Sequence, residues 1–429
     1  MEILKSKKYA ERRGVIWIIL ILFSFKLFYS CEINPPENKL TREELLDYMK
    51  AWYLWYDTMP NVSAKDFATP QDLLDTLIFD QLDRWSYIQK TSDYNNYNSK
   101  GIYTGHGIGL RWDSEGKLKV AFIFDDSDLC TSGVIRGWEV TQINGVSILP
   151  GTIIDTSILG PNEEGIQNTF TFKTLNGGTQ TINSTKKFVN INSVLHSEII
   201  EVAGRKAGYV VLQNFTNPAR DELTVVFSDF DAEDIDDLII DLRYNPGGIL
   251  EISRYLGNLI AGEIANKGAF VKYVYNDKRS DNNITKRFEP EDYSLILTRV
   301  FFITTASTAS ASEVLINALK PYLDVYIIGD ITEGKPVGMI AKQYNDYTLV
   351  PITFYLYNRD NEGEYFDGLQ PDQYIEDDMD ETFGSLEEDC LKEILYFIEN
   401  GSFSGGIKTT PSQYQWKTIP SRGFSTGAI

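Results

Sequence analysis

Three short apolar runs in the second half of the chain constrain its fold most: Leu238–Leu242, Val300–Ile303 and Val325–Ile328. Only Asp241 breaks them. Each hands over directly to a segment rich in Gly, Ser or Thr. Apolar runs this short, without alternation, fit strands buried on both faces. Gly208–Leu212 reads as a further strand, and Leu223–Phe230, Ser312–Lys320 and Leu391–Ile398 have helical spacing. Strands interleaved with helices predict an α/β core over residues 191–400.

At roughly 100–200 residues per domain, 429 residues leave room for more than that core. Thr41-Arg42-Glu43-Glu44 is a capping box. Leu45, Tyr48, Met49, Trp52, Trp55 and Tyr56 continue from it at spacings of three and four, and Pro60 ends the predicted helix. Thr69-Pro70 starts a second helix, with Leu73, Leu74, Leu77 and Ile78 on its buried face. Residues 41–95 therefore read as a helical N-terminal domain, and the Asn-rich stretch 91–100 as a linker. Residues 101–190 carry short strands, Gly turns and an Asn144-Gly145 turn, the pattern of a β-rich module. Residues 401–429, rich in Ser, Thr, Gly and Pro, read as a flexible tail.

The first residues look like an address. Lys5, Lys7, Lys8, Arg12 and Arg13 precede an apolar run, Val15–Phe23, that is too short to cross a bilayer. Ser30-Cys31 follows, and a small residue before a cysteine resembles a bacterial lipoprotein processing site. Residues 1–30 are thus expected to be a lipoprotein signal peptide, Cys31 the lipidated residue, and 31–40 a tether. Localisation in a bacterial cell envelope, periplasmic or on the outer membrane, and membrane attachment through the lipid follow as expectations.

Composition narrows the chemistry. The net charge of −21 repels phosphate backbones, so nucleic acid is not an expected partner. Three cysteines exclude a disulfide scaffold and a four-cysteine zinc site. The two histidines, His106 and His196, sit in no recognisable catalytic or metal motif. No metal and no cofactor is expected, and a hydrolase built here needs a base other than histidine.

Each apolar run in the core leads to a candidate motif. Asp241-Leu242-Arg243-Tyr244-Asn245-Pro246-Gly247-Gly248 can turn sharply and leave amides outward, as an oxyanion requires. Thr304–Leu315 brings small residues and several hydroxyls to the start of a helix, where its dipole favours negative charge. Gly329-Asp330-Ile331-Thr332-Glu333-Gly334-Lys335-Pro336 nearly matches a phosphate-binding loop. Pro336, however, offers neither a hydroxyl for magnesium nor an amide hydrogen. Gly105-His106-Gly107-Ile108-Gly109 likewise stops short of a dinucleotide fingerprint. A lysine can act instead as a base if burial lowers its pKa by about three units, and serine activated by a neutral lysine is a variant of triad logic.

Taken together, in this order and spacing, the three motifs resemble those of the carboxyl-terminal processing proteases, serine-lysine endopeptidases with an embedded PDZ domain. The resemblance spans roughly residues 41–400. It implies a mixed α/β fold with a helical N-terminal domain, a PDZ module over 101–190 and a ClpP/crotonase-like protease core. It also implies Ser310 as nucleophile and Lys335 as base. The amide of Ala311, with one from Gly247 or Gly248, would form the oxyanion hole. Gly107-Ile108-Gly109-Leu110 would receive a substrate's C-terminus, and Asp367-Gly368-Leu369-Gln370-Pro371-Asp372 matches the family's closing turn. Leu82-Asp83-Arg84-Trp85-Ser86-Tyr87-Ile88 resembles the N-terminal domain of some members. Many members place Gln or Glu four residues after the lysine, where this chain has Met339. The expected partners are proteins or peptides with exposed C-termini, with a homo-oligomer as a further possibility. The alternative is a tail-binding scaffold of the same fold with weak or no catalysis.

Overall fold

The computed structural model describes residues 38–150, 156–405 and 428–429. The signal, lipidation and most of the tether expected for residues 1–37 lie outside the described residues, as does 406–427 of the expected tail.

A six-stranded sheet forms the centre. Its order is Val194–Val202, Arg205–Leu212, Asp237–Asp241, Arg299–Thr304, Asp324–Gly329 and Gln373–Tyr374. The first pair is antiparallel and every later pair is parallel. The three apolar runs are its middle strands. Their side chains alternate between two cores. Leu238, Ile240, Val300 and Phe302 face helices Ala219–Ala232, Leu250–Ala265 and Ala311–Leu319. Ile239, Phe301 and Ile303 face helix Asp389–Asn400. Burial on both faces removes the alternation from the sequence, which is why these strands read as continuous runs.

The N-terminal helices carry the predicted caps: Arg42–Trp52 with the Thr41/Glu44 box and Pro70–Leu77 with Thr69 and Asp72. The first helix ends earlier than its apolar spacing suggests. Lys278 Nζ donates to Lys50 O, Arg279 Nε to Ala51 O and Asn276 Nδ2 to Tyr53 O, so donors from the core take the carbonyls that would continue it. These helices do not bury their apolar face alone. Leu45, Met49, Leu73 and Leu77 share one cluster with Val337, Leu349 and Ile352, from strands Val337–Met339, Tyr347–Val350 and Ile352–Tyr357.

The expected linker 91–100 is instead an ordered helical segment, Thr91–Asn95 continued by Asn96–Lys100, with Tyr97 buried. Its Asn content serves local bonds, such as Asn98 Nδ2 to Tyr94 O and Lys100 Nζ to Asn96 Oδ1, rather than solvation.

The β-rich module pairs Ile108–Trp112, Leu118–Ile123, Glu139–Ile143, Gln167–Lys173 and Thr179–Thr185 in an antiparallel sheet. Asn144 and Gly145, both at positive φ, make the tight turn into Val146–Ser147. A two-stranded ladder, Ile102–Gly105 with Lys187–Asn190, joins the module's beginning to its end.

The expected flexible tail is ordered where it is described. Phe403 packs on Phe397 at 4.7 Å between ring centroids, and Ser404 bonds Glu393 through its amide and hydroxyl. Ala428 and Ile429 lie against the β-rich module.

Candidate active site

The three motifs converge at the C-terminal ends of the central strands. The glycine loop after Asp237–Asp241 is held from below by buried charges. Arg243, with no exposed side-chain surface, pairs with Asp241 at 2.6 Å, Glu388 at 2.7 Å and Asp377 at 2.9 Å. Arg136 reaches the same Asp377 from the β-rich module, also at 2.9 Å, and Tyr244 donates to it. Burial alone would raise the Asp377 carboxyl, but the two guanidiniums outweigh it and hold its pKa at about 2.

Asn245 stitches this loop to the serine loop. Its Nδ2 donates to Leu212 O and its Oδ1 accepts from the Gly247 amide at 2.9 Å. Its carbonyl accepts from Ala309 N and Ser312 Oγ. The other hydroxyls after Arg299–Thr304 are engaged in similar bracing. Thr304 donates to Asp330 O, Thr305 to Arg243 O, Thr308 to Leu242 O, and Ser307 accepts from Arg111. That leaves Ser310 as the hydroxyl of this segment that bonds none of the neighbouring loops among the described residues.

Ser310 occupies the N-cap of helix Ala311–Leu319 with φ +55° and ψ −115°. A non-glycine residue held at positive φ is strained, and such strain persists only where the surroundings enforce it. Gly247 is part of that enclosure. A Cβ there would lie 2.9 Å from both Ala309 O and Ser310 Cβ, so only glycine lets the two loops meet.

The oxyanion candidates separate. The Gly247 amide donates to Asn245 Oδ1, so of the two glycines expected to offer an amide it is Gly248 whose amide is not already engaged in this way. The amides of Gly248 and Ala311 have no hydrogen-bond partner among the described residues. Ala311 is also the first residue of its helix, where the dipole is positive.

Glu313, one turn into the same helix and fully buried, joins the serine and lysine loops. Its Oε2 accepts from Ser310 N at 2.7 Å and Lys335 N at 2.9 Å, and its Oε1 from Gly334 N at 2.7 Å and Thr332 Oγ1 at 2.5 Å. Burial pushes its pKa up to about 7, against the pull of these four donors. Sequence reading named Glu313 only as a landmark. A Glu three residues after an N-cap serine is the capping-box pattern and was the available signal.

Lys335 follows Gly334, which sits at φ +84° against the closing turn. A Cβ there would come 2.3 Å from Phe366 O. Leu369 N donates to Thr332 Oγ1 at 2.8 Å, so the Asp367–Asp372 turn braces the lysine loop. The Lys335 side chain runs to Met339, with Nζ 3.4 Å from the thioether sulfur and 5.8 Å from the Trp85 ring centroid. Burial lowers its pKa from the ordinary 10.5 to about 8, and the opposing pull of Asp83, Glu313 and Glu333 does not restore it. Asp83 is itself occupied by Tyr53, Trp85 and Ser86. The N-terminal segment thus walls the lysine pocket, a role its sequence did not disclose.

Neither histidine enters this site. His106 bonds Ser184 and Asn168 inside the β-rich module, and His196 lies 3.2 Å from Glu198. Of the residues expected to hold a peptide end, the Gly107 amide and Ile108 carbonyl meet Ile429. Gly109 lies under the Phe122 ring and Leu110 is buried in the module core. Those two pair with Phe122 and Val120 of the neighbouring strand.

A strained serine at a helix N-terminus, unpaired amides beside it and a depressed lysine are the parts of a nucleophilic hydrolase. The model of peptidase family S41 matches residues 206–375, and that of the S41 N-terminal domain matches 42–87. The chain belongs to peptidase family S41. As an S41 peptidase it is a serine-type hydrolase, similar to carboxyl-terminal processing enzymes. A "Probable CtpA-like serine protease" of Staphylococcus epidermidis is 22% identical over 345 residues, covering 79% of this chain and 67% of the relative. The crystal structure named "Putative S41 protease" from Bacteroides fragilis superposes with a TM-score of 0.67 at 22% identity, over 84% of this peptidase and 97% of that chain. The photosystem II D1 C-terminal processing protease gives 0.51 at 18% identity, over 78% and 92%. These two likenesses carry the fold.

Proposed function

We propose that this S41 peptidase is a cell-envelope endopeptidase, anchored through Cys31, that cleaves peptide bonds with Ser310 and Lys335 after a PDZ-type module captures the substrate's C-terminal tail. Ser310 Oγ attacks the scissile carbonyl and its proton passes to the neutral Lys335 Nζ. The amides of Gly248 and Ala311 receive the oxyanion of the tetrahedral intermediate. Its collapse breaks the C–N bond, and the lysine returns the proton to the leaving amine. Water then attacks the acyl-enzyme, giving a proton to Lys335. Collapse of the second intermediate breaks the ester C–O bond, the lysine returns the proton to Ser310 Oγ, and the new C-terminal acid leaves, losing its proton to solvent.

The observation that carries this reading is the lysine environment: an amine lowered to about 8, on a loop whose amide shares one Glu313 oxygen with the amide of Ser310. Cleavage of an unstructured protein such as casein by the wild type, and its loss in both Ser310→Ala and Lys335→Ala with unchanged folding, tests it. Activity retained by Lys335→Ala refutes the dyad. Metabolic labelling with a palmitate analogue, lost on Cys31→Ala, tests the anchor.

One observation favours the second reading, a tail-binding scaffold. The hydrogen bond of Lys335 Nζ goes to Met339 Sδ rather than to Ser310. Absence of labelling by a serine-reactive fluorophosphonate, together with intact peptide binding, would select it.

A further inference from the structure

We propose that residues Ala428-Ile429 of this chain are a resident ligand of the β-rich module, and that a substrate tail must displace them. The inference rests on the tail-capturing reading of that module and names both its competitor and its preferred end group.

The contacts are those of a peptide added to a sheet edge. Ile429 N donates to Ile108 O at 2.8 Å, and Ile429 O accepts from His106 N at 2.8 Å and Gly107 N at 3.0 Å. Tyr103 Oη adds a longer bond to the same oxygen at 3.3 Å. Two successive amides on one oxygen need the left-handed turn at Gly107, φ +76°. Gly105 leaves room for Ile429, since a Cβ there would lie 3.0 Å from Ile429 C. The His106 ring takes no part. It is turned inward to Ser184 and Asn168.

The side chains bridge two cores. Ile429 packs against the module's interior, which holds Ile108, Leu110, Leu129 and Val140. Ala428 packs against a separate cluster containing Phe122, Phe124 and Tyr244. Tyr244 stands in the glycine loop, its ring centroid 5.6 Å from that of Phe122. The groove therefore suits a tail ending in a branched aliphatic residue preceded by a small one, and its far wall is continuous with the loop that carries Gly248.

A ligand tethered to its own groove competes at an effective concentration on the order of millimolar, so a free tail should bind weakly until the resident end is removed. The test uses a fluorescent peptide of sequence Ser-Thr-Gly-Ala-Ile with a free carboxylate, titrated into the full chain and into a chain lacking residues 428–429. Fluorescence polarisation should show at least tenfold tighter binding to the shortened chain. A peptide ending in Asp in place of Ile should bind that chain at least tenfold more weakly. Equal affinity for the two chains, or no binding to either, overturns the proposal. Casein cleavage by the same two proteins separates this from the reading of function. Tighter peptide binding without cleavage by either leaves the resident ligand standing and removes the peptidase. Cleavage with equal binding does the reverse.

Discussion

The main-chain amides of Ser310 and Lys335, on loops leaving neighbouring strands, donate to the same oxygen of Glu313. The registration of the proposed nucleophile and the proposed base therefore rests on one buried carboxylate. Glu313→Gln places an NH₂ group among donors and breaks at least one of the four bonds. Each charge-assisted bond is worth about 1.5–3 kcal/mol. The expected result is a fall in kcat of about a hundredfold or more with little change in KM, and about 2–4 kcal/mol less stability by denaturant unfolding.

The proposed reaction needs an uncharged lysine, so the active fraction should rise with pH through about 8. Well below that value kcat/KM should fall about tenfold per pH unit. Below about 7, Glu313 also takes up a proton, and the acid limb should steepen. Met339→Glu puts a carboxylate within reach of Nζ and favours the ammonium. Its pH–rate profile should shift alkaline by about a unit or more.

The depressed lysine costs stability. The folded state titrates at about 8 against an ordinary 10.5, so between these values it holds fewer protons than the unfolded chain and stability rises with pH. At pH 7 the cost is almost fully present, about 3 kcal/mol from the shift. Lys335→Met should therefore abolish cleavage and raise Tm, both measurable on one preparation.

Asp377 ties the β-rich module to the glycine loop through Arg136 and Arg243. Asp377→Asn leaves two buried guanidiniums short of a counter-charge, at an expected cost of about 3–5 kcal/mol. Because its pKa is held at about 2, below the ordinary 3.8, its contribution is present above pH 4 and is lost as pH falls through 2. Acid unfolding of the variant should show less of that dependence.

Gly247→Ala tests the loop contact. The added methyl would press on Ala309 O and Ser310 Cβ from 2.9 Å. The expected outcome is loss of most of kcat with peptide binding to the β-rich module preserved.

The core was legible because its strands are buried on both faces and each delivers a motif at its end. The meeting of the loops that carry Ser310 and Lys335 was legible through the order of those motifs. Helix Leu250–Ala265 escaped because nearly every face of it is buried, from Ile252 to Gly262, so it shows no polar stripe. The end of helix Arg42–Trp52 was hidden because donors more than 200 residues away set it. Composition misled at 91–100, where Asn residues bond locally and Tyr97 is buried. The seat of Ile429 depends on a groove over 300 residues distant, and no local pattern announces it.

The central claim is that a neutral Lys335 activates Ser310. The most direct measurement is the rate of Ser310 acylation by a fluorophosphonate under single-turnover conditions, from pH 6 to pH 10, in wild type and Lys335→Ala. The account predicts a wild-type rate that climbs to a plateau with a midpoint near 8, and a rate at least a thousandfold lower in the variant. A wild-type rate indifferent to pH, or a variant that acylates as fast, would contradict it.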